Sequence, residues 1–137
     1  MSKRILCAVD GSEPSSRAVA EAAEMAGAEG AELILLVVDQ VRFEPRLAPV
    51  HAFGEKRINE ILSESEAAAK KAGAKNIVKA SVTSRDVGRA VLNYAEEHGV
   101  DHLVVGTGEK SAGARLIVGS VSHDLVVRAH CSVTVAR

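Results

Sequence analysis

Apolar residues along this chain switch between two spacings. In Arg4-Ile-Leu-Cys-Ala-Val9 and Glu32-Leu-Ile-Leu-Leu-Val-Val38 they run on without a polar break. Such runs predict strands buried on both faces, as in the middle of a parallel sheet. Elsewhere they recur every three or four residues. Ala18, Val19, Ala22, Ala23 and Ala26 fall on one face of a helix capped by Ser12, with Glu13 and Pro14 in its first turn and Gly27 and Gly30 closing it. Ile58, Ile61, Leu62, Ser65, Ala68, Ala69 and Ala72 form the inner stripe of a second helix, which ends at Gly73 as at a left-handed cap. Val87, Ala90, Val91 and Tyr94 do the same for a third, which starts from Thr83-Ser-Arg-Asp86 and stops at Gly99.

The remaining segments fit the same alternation. Asn76 to Val82 carries Lys79 and Ser81 on a wetter face and predicts a strand at a sheet edge. Val100 to Val105 predicts a fourth strand, about Val121 to Ala129 a short helix, and Cys131 to Ala136 a last strand. Gln40 to Phe53, with Pro45, Pro49 and His51, has little pattern and reads as a loop or lid. Strands alternating with helices define a single α/β domain over residues 1–137 with a mostly parallel sheet.

Composition narrows what that domain does. Hydrophobic residues make up 47% of the 137, but aromatics only 2%, so Ala, Val and Leu build the core. Charged residues are 26% and the formal net charge is -1, without the basic excess of a nucleic-acid binder. Tyr94, Phe43 and Phe53 are too few for a single-strand stacking platform. Cys7 and Cys131 read as small buried hydrophobes in a reducing compartment. The apolar run after Met1 is too short for a signal core and no run reaches a membrane span, so the expected location is cytoplasmic. His51, His98, His102, His123 and His130 are scattered and predict surface or structural roles.

The candidate chemistry lies in Val104 to Ser120, VVGTGEKSAGARLIVGS. Strand, glycine-rich loop and helix follow in that order. This places backbone N–H groups and a helix N-terminus at the carboxyl end of a strand, where an α/β sheet binds phosphate. The segment lacks the Walker A spacing, and Gly106-Thr-Gly108 lacks the third glycine of a dinucleotide fingerprint because Ser111 stands there. Gly106, Gly119 and Ser120 read singly as turn and cap residues. Asp10 divides evenly between strand-end capping and ligand contact.

The chain resembles the universal stress protein family, of the adenine-nucleotide α-hydrolase-like fold. Nucleotide-binding members carry Gly, two residues, Gly, nine residues, Gly, then Ser or Thr; Gly106, Gly119 and Ser120 hold the first, third and fourth places. The opening ILCAVDGSEPSSRAV, Glu32 to Val38, VDHLVVGTG and GSVSHDLVVRAHCSVTVAR extend the resemblance over the whole chain. It implies a three-layer α/β/α sandwich on a five-stranded parallel sheet of order 3-2-1-4-5. It also implies that Ala8, Val9 and Asp10 meet the adenosine part and that Val38 lines the adenine pocket. Val105, Gly106, Gly108, Gly119, Ser120 and Val121 would approach ribose and phosphates. Glu109 departs from the pattern, standing where the second glycine belongs. Its charge beside a triphosphate costs about 1 kcal/mol or more at an effective dielectric near 20. Gly108, Lys110, Arg115 or a bound cation are the available compensations.

Three readings follow. The first is a cytoplasmic ATP- or AMP-binding module, with magnesium, that senses or regulates stress survival with a protein partner. It would work as a homodimer through the last strand, Ser132 to Ala136, an exposed edge at the chain end. No residue pattern positions a water or a base, so weak ATP hydrolysis is the most catalysis it would show. The second is an ATP-independent member of the same fold, acting as a dimeric interaction protein or binding another small ligand. The third, a nucleotidyl-transferring or hydrolysing enzyme, lacks a catalytic signature.

Overall fold

The computed structural model describes residues 3–107 and 120–137. Gly108, Glu109 and Gly119 lie outside them, as do Lys110, Ser111 and Arg115. The elements run β1 (Arg4–Ala8), α1 (Glu13–Glu29), β2 (Glu32–Arg42), β3 (Val50–His51), α2 (Glu55–Lys71), β4 (Asn76–Ser84), α3 (Val87–Glu97), β5 (His102–Gly106), α4 (Ser120–Arg128) and β6 (Ser132–Ala136). The five long strands pair in parallel in the order β4-β2-β1-β5-β6. Counted without the short β3, this is the expected 3-2-1-4-5.

The alternation along β2 explains the two layers. Leu33, Leu35 and Val37 pack with Ala18, Val19, Ala22, Ala23 and Ile61, so α1 and α2 cover one face. Ile34, Leu36 and Val38 pack with Ala90, Val91, Ala95 and Leu125, so α3 and α4 cover the other. Four of the six buried residues of α1 are alanine, which lets its backbone lie close to the sheet. Ser12 caps α1 through the Ser15 amide, and Asp86 caps α3 through the Arg89 amide. Tyr94 stacks on His98, the residue that caps the end of α3, with ring centroids 3.8 Å apart.

Several expectations change. Gly27 does not close α1 but sits inside it, and Gly30, at φ 65°, is the left-handed cap. A β-carbon on Gly27 would lie 2.6 Å from the Gly73 carbonyl oxygen, so the residue is small because α2's end crosses there. Ala68 is exposed, leaving Ile61, Leu62 and Ala69 as the buried stripe of α2. The largest change concerns Gln40 to Phe53. β2 runs through Asp39 to Arg42, and the chain returns as β3, antiparallel to β2, with Val41 opposite His51 and Arg42 opposite Val50. The sheet thus has a sixth, short strand.

β4 and β6 are the outer members of the parallel set. β4 carries Lys79, which reaches Glu66 of α2 at 3.2 Å, whereas Ser132 to Ala136 carries no charged side chain. No helix among the described residues is long and apolar enough to cross a membrane.

Candidate functional site

The sheet reverses its direction of growth at β1: β2 lies on one side and β5 on the other. Chains leaving such neighbouring strands diverge to opposite faces and leave a crevice beyond their carboxyl ends. A cleft of about 360 Å³ opens there, within the range of small-ligand sites. Ala8 and Val9 from β1's end, Leu36 and Val38 from β2, and Val105 from β5 form an apolar floor. Asp10, Ser12, Gln40 and Ser120 supply a polar rim.

The turn after β1 is locked by its own side chains. Asp10 Oδ1 accepts from the Ser12 amide at 2.9 Å and from the Ser12 hydroxyl at 2.5 Å. The Asp10 amide donates back to Ser15 Oγ, 3.2 Å away and buried. Asp10 therefore performs the capping role while also facing the cleft. Cys7 lies wholly buried in the strand leading to it. Burial, and then the nearby charge of Asp10, push its thiol up to about 12.

Across the cleft, Ser122 reaches back from the first turn of α4 and donates to the Gly106 carbonyl at 2.6 Å. This ties the start of α4 to the end of β5. Gly106 itself runs against the start of α1, where its surroundings leave no room for a side chain. Ser120 opens α4, exposed at the rim, so the start of that helix borders the crevice.

Every described residue that the sequence assigned to the site lines this one cleft: Ala8, Val9, Asp10, Val38, Val105, Gly106, Ser120 and Val121. Sequence reasoning missed part of the wall. Thr107 and Ser122 were within reach of it, being neighbours of assigned residues, and Leu36 shares the face of Val38. Ala52 and Phe53 carry no signal in the sequence, because they arrive from the end of the patternless excursion between Gln40 and Phe53.

That excursion is held by Asp39, 3% exposed inside β2. Its Oδ1 accepts from the Phe53 amide at 3.0 Å and its Oδ2 faces His51 Nδ1 at 2.9 Å. Burial pushes the Asp39 carboxyl up. Hydrogen bonds from the Phe53 amide, the His51 ring and the Gly54 amide push it down and prevail, leaving it below its ordinary value.

An open parallel α/β sheet, a crevice at its topological switch and a helix start at the rim define an α/β domain of the doubly wound kind, with a cleft of the size that takes small ligands. The sequence profile of the universal stress protein family matches residues 1–137, and the chain belongs to that family. It is 32% identical over 139 residues to the universal stress protein Rv1636 of Mycobacterium tuberculosis, covering 97% of this chain and 94% of that one. It is 30% identical over 149 residues to YxiE of Bacillus subtilis, covering all of both. A universal stress protein crystallised in complex with cAMP superimposes with a TM-score of 0.78 at 30% identity, covering 99% of this chain and 97% of the other.

Proposed function

We propose that the chain is an adenine-nucleotide-binding module that acts as a sensor or regulator in the stress response, in the cytoplasm and as a homodimer. One observation carries the reading: the cleft joins Ala8 to Asp10, Val38, Gly106 and Ser120 at the switch between β1 and β5. The solved relative that holds cAMP supports adenine nucleotides as the ligand class. The base would lie on the apolar floor of Val9, Leu36 and Val38. The ribose would meet Asp10, and phosphate oxygens the start of α4, where helix N–H groups favour an anion. Gly108, Glu109 and Gly119 would complete the phosphate side. ATP with magnesium is the fullest ligand of this reading. The dimer would form through β6, an outer strand whose five residues carry no charge.

Glu109 favours a second reading, in which the site refuses triphosphates and the protein works as an ATP-independent dimeric interaction partner. Calorimetric titration with ATP and magnesium, and with AMP, on the wild type and a Glu109→Gly variant tests both. Micromolar binding of ATP by the wild type supports the nucleotide module. Binding of ATP by the variant alone favours the second reading. Binding of neither nucleotide by either protein overturns the cleft assignment. Sedimentation of the same samples reads the dimer.

A further inference from the structure

The excursion from Phe43 to Phe53 returns to the sheet on very little. β3 has two residues, and a pairing so short does not hold itself in water. Its ladder ends with one more backbone bond, from the Ala52 amide to the Gln40 carbonyl at 2.9 Å. At the next residue the chain leaves the strand for α2, and the Phe53 amide has no strand partner. The Asp39 carboxylate takes that amide, and its other oxygen takes the His51 ring. Gly54, the residue that opens α2, has no side-chain cap of its own.

This arrangement matters to the cleft because Ala52 and Phe53 form its wall on the β2 side. Phe53 also packs onto the core shared by α1 and α2. Its position is thus set by apolar contact on one side and by a buried carboxylate on the other. Hydrogen bonds to an ionised acceptor are roughly twice as strong as neutral ones. A carboxylate kept charged inside the fold is costly unless its hydrogen bonds are all made, so the anchor has one favourable geometry.

We infer that Asp39 is a positioning residue for the cleft: from inside β2 it fixes the Ala52–Phe53 wall through the Phe53 amide and the His51 ring, and ligand affinity depends on that fixation. The affinity part rests on the nucleotide-binding reading; the anchoring part does not.

Full-length Asp39→Ala, Asp39→Asn and His51→Ala proteins test it by amide hydrogen exchange, read residue by residue, and by titration with AMP. In Asp39→Ala, exchange at Phe53 and Gly54 rises by about tenfold or more, the scale set by one lost charge-assisted bond, and AMP binds about tenfold more weakly. Exchange at Leu35 and Leu36, in the middle of β2, stays at the wild-type rate. A merely structural role would raise exchange throughout β2 and leave the affinity of the folded protein unchanged. His51→Ala, at a half-exposed side chain, has a smaller effect of the same sign. Asp39→Asn, which keeps an acceptor for Phe53, lies between the two, and these variants carry the test if Asp39→Ala does not fold. Wild-type exchange at Phe53 in the Asp39 variants overturns the anchor. A loosened wall with unchanged AMP affinity overturns its role in binding. If the wild type binds no AMP, the nucleotide reading and the affinity claim both fail, and exchange alone decides the anchor.

Discussion

Gly106 and Pro14 touch backbone to backbone. A β-carbon on Gly106 would lie 2.5 Å from the Pro14 carbonyl oxygen and 2.6 Å from its carbon. The end of β5 and the first turn of α1 are therefore pressed together at the cleft's inner corner, and neither contacting atom belongs to a flexible side chain. Gly106→Ala is expected to lose about 1–3 kcal/mol of stability, the usual range for overpacking. The same substitution should weaken nucleotide binding, since Gly106 and the residues around Pro14 share the cleft. Denaturant unfolding and AMP titration of the variant check the two effects separately.

How much of this was legible in the sequence follows from what each residue responds to. Ile5, Leu33 and Leu103 are buried because their neighbours along the chain are apolar, and unbroken runs show that directly. The spacing of Ala18, Ala22 and Ala26 shows a buried helix face in the same way. Gly27 responds instead to the Gly73 carbonyl, 46 positions away in the numbering, so its spacing suggested only an end. Asp39 resembled a strand end because a carboxylate seldom stays in a buried strand. Its partners, His51 and Phe53, come from 12 and 14 residues further on. Of the site, the parts on strand ends and at the start of α4 could be read from run and turn. The β3 side could not, because its residues have no periodicity.

Acid should act through Asp39. Its folded carboxyl ionises below its ordinary value of 3.8, so the anchor stabilises the fold fully above that value. The contribution erodes as pH falls below 3.8 and is lost once pH passes below the folded value. Asp39→Asn lacks this titration. The stability gap between wild type and Asp39→Asn, measured by urea unfolding, is expected to be widest near pH 7 and to narrow as the pH approaches 3.

The two cysteines should separate in thiol labelling. With its thiol pushed up to about 12, Cys7 is ionised at about one part in ten thousand at pH 8. It is also fully buried. Cys131 is half-buried, and burial followed by the charge of Asp101 raises its thiol too, against a hydrogen bond from the Leu103 amide. A disulfide-exchange reagent at pH 8 is expected to modify Cys131 slowly in the native protein. Cys7 should react only after denaturant is added. Mass spectrometry of the labelled peptides distinguishes them.

Ser122→Ala removes the 2.6 Å bond to the Gly106 carbonyl at a site 3% exposed. Leaving that acceptor without its partner should cost about 1–2 kcal/mol, within the range for a buried hydrogen bond. Calorimetric melting of the variant measures the loss. Amide exchange in the first turn of α4 should rise with it, because Ser122 is the side chain that holds this turn to β5.

The two margins of the sheet are unlike, and in the proposed dimer that difference would set how copies assemble. Lys79 places a cation on β4, while β6 offers five residues without one. Copies that meet through β6 alone are related by a two-fold axis, each using the same surface, and the contact closes on itself. Extending such a pair into a fibre would require β6 of one copy to meet β4 of another, a heterologous joint that a lysine on the edge strand would disfavour. In the proposed dimer, the charge on β4 would work as a stop, so that assembly through these strands would end at two.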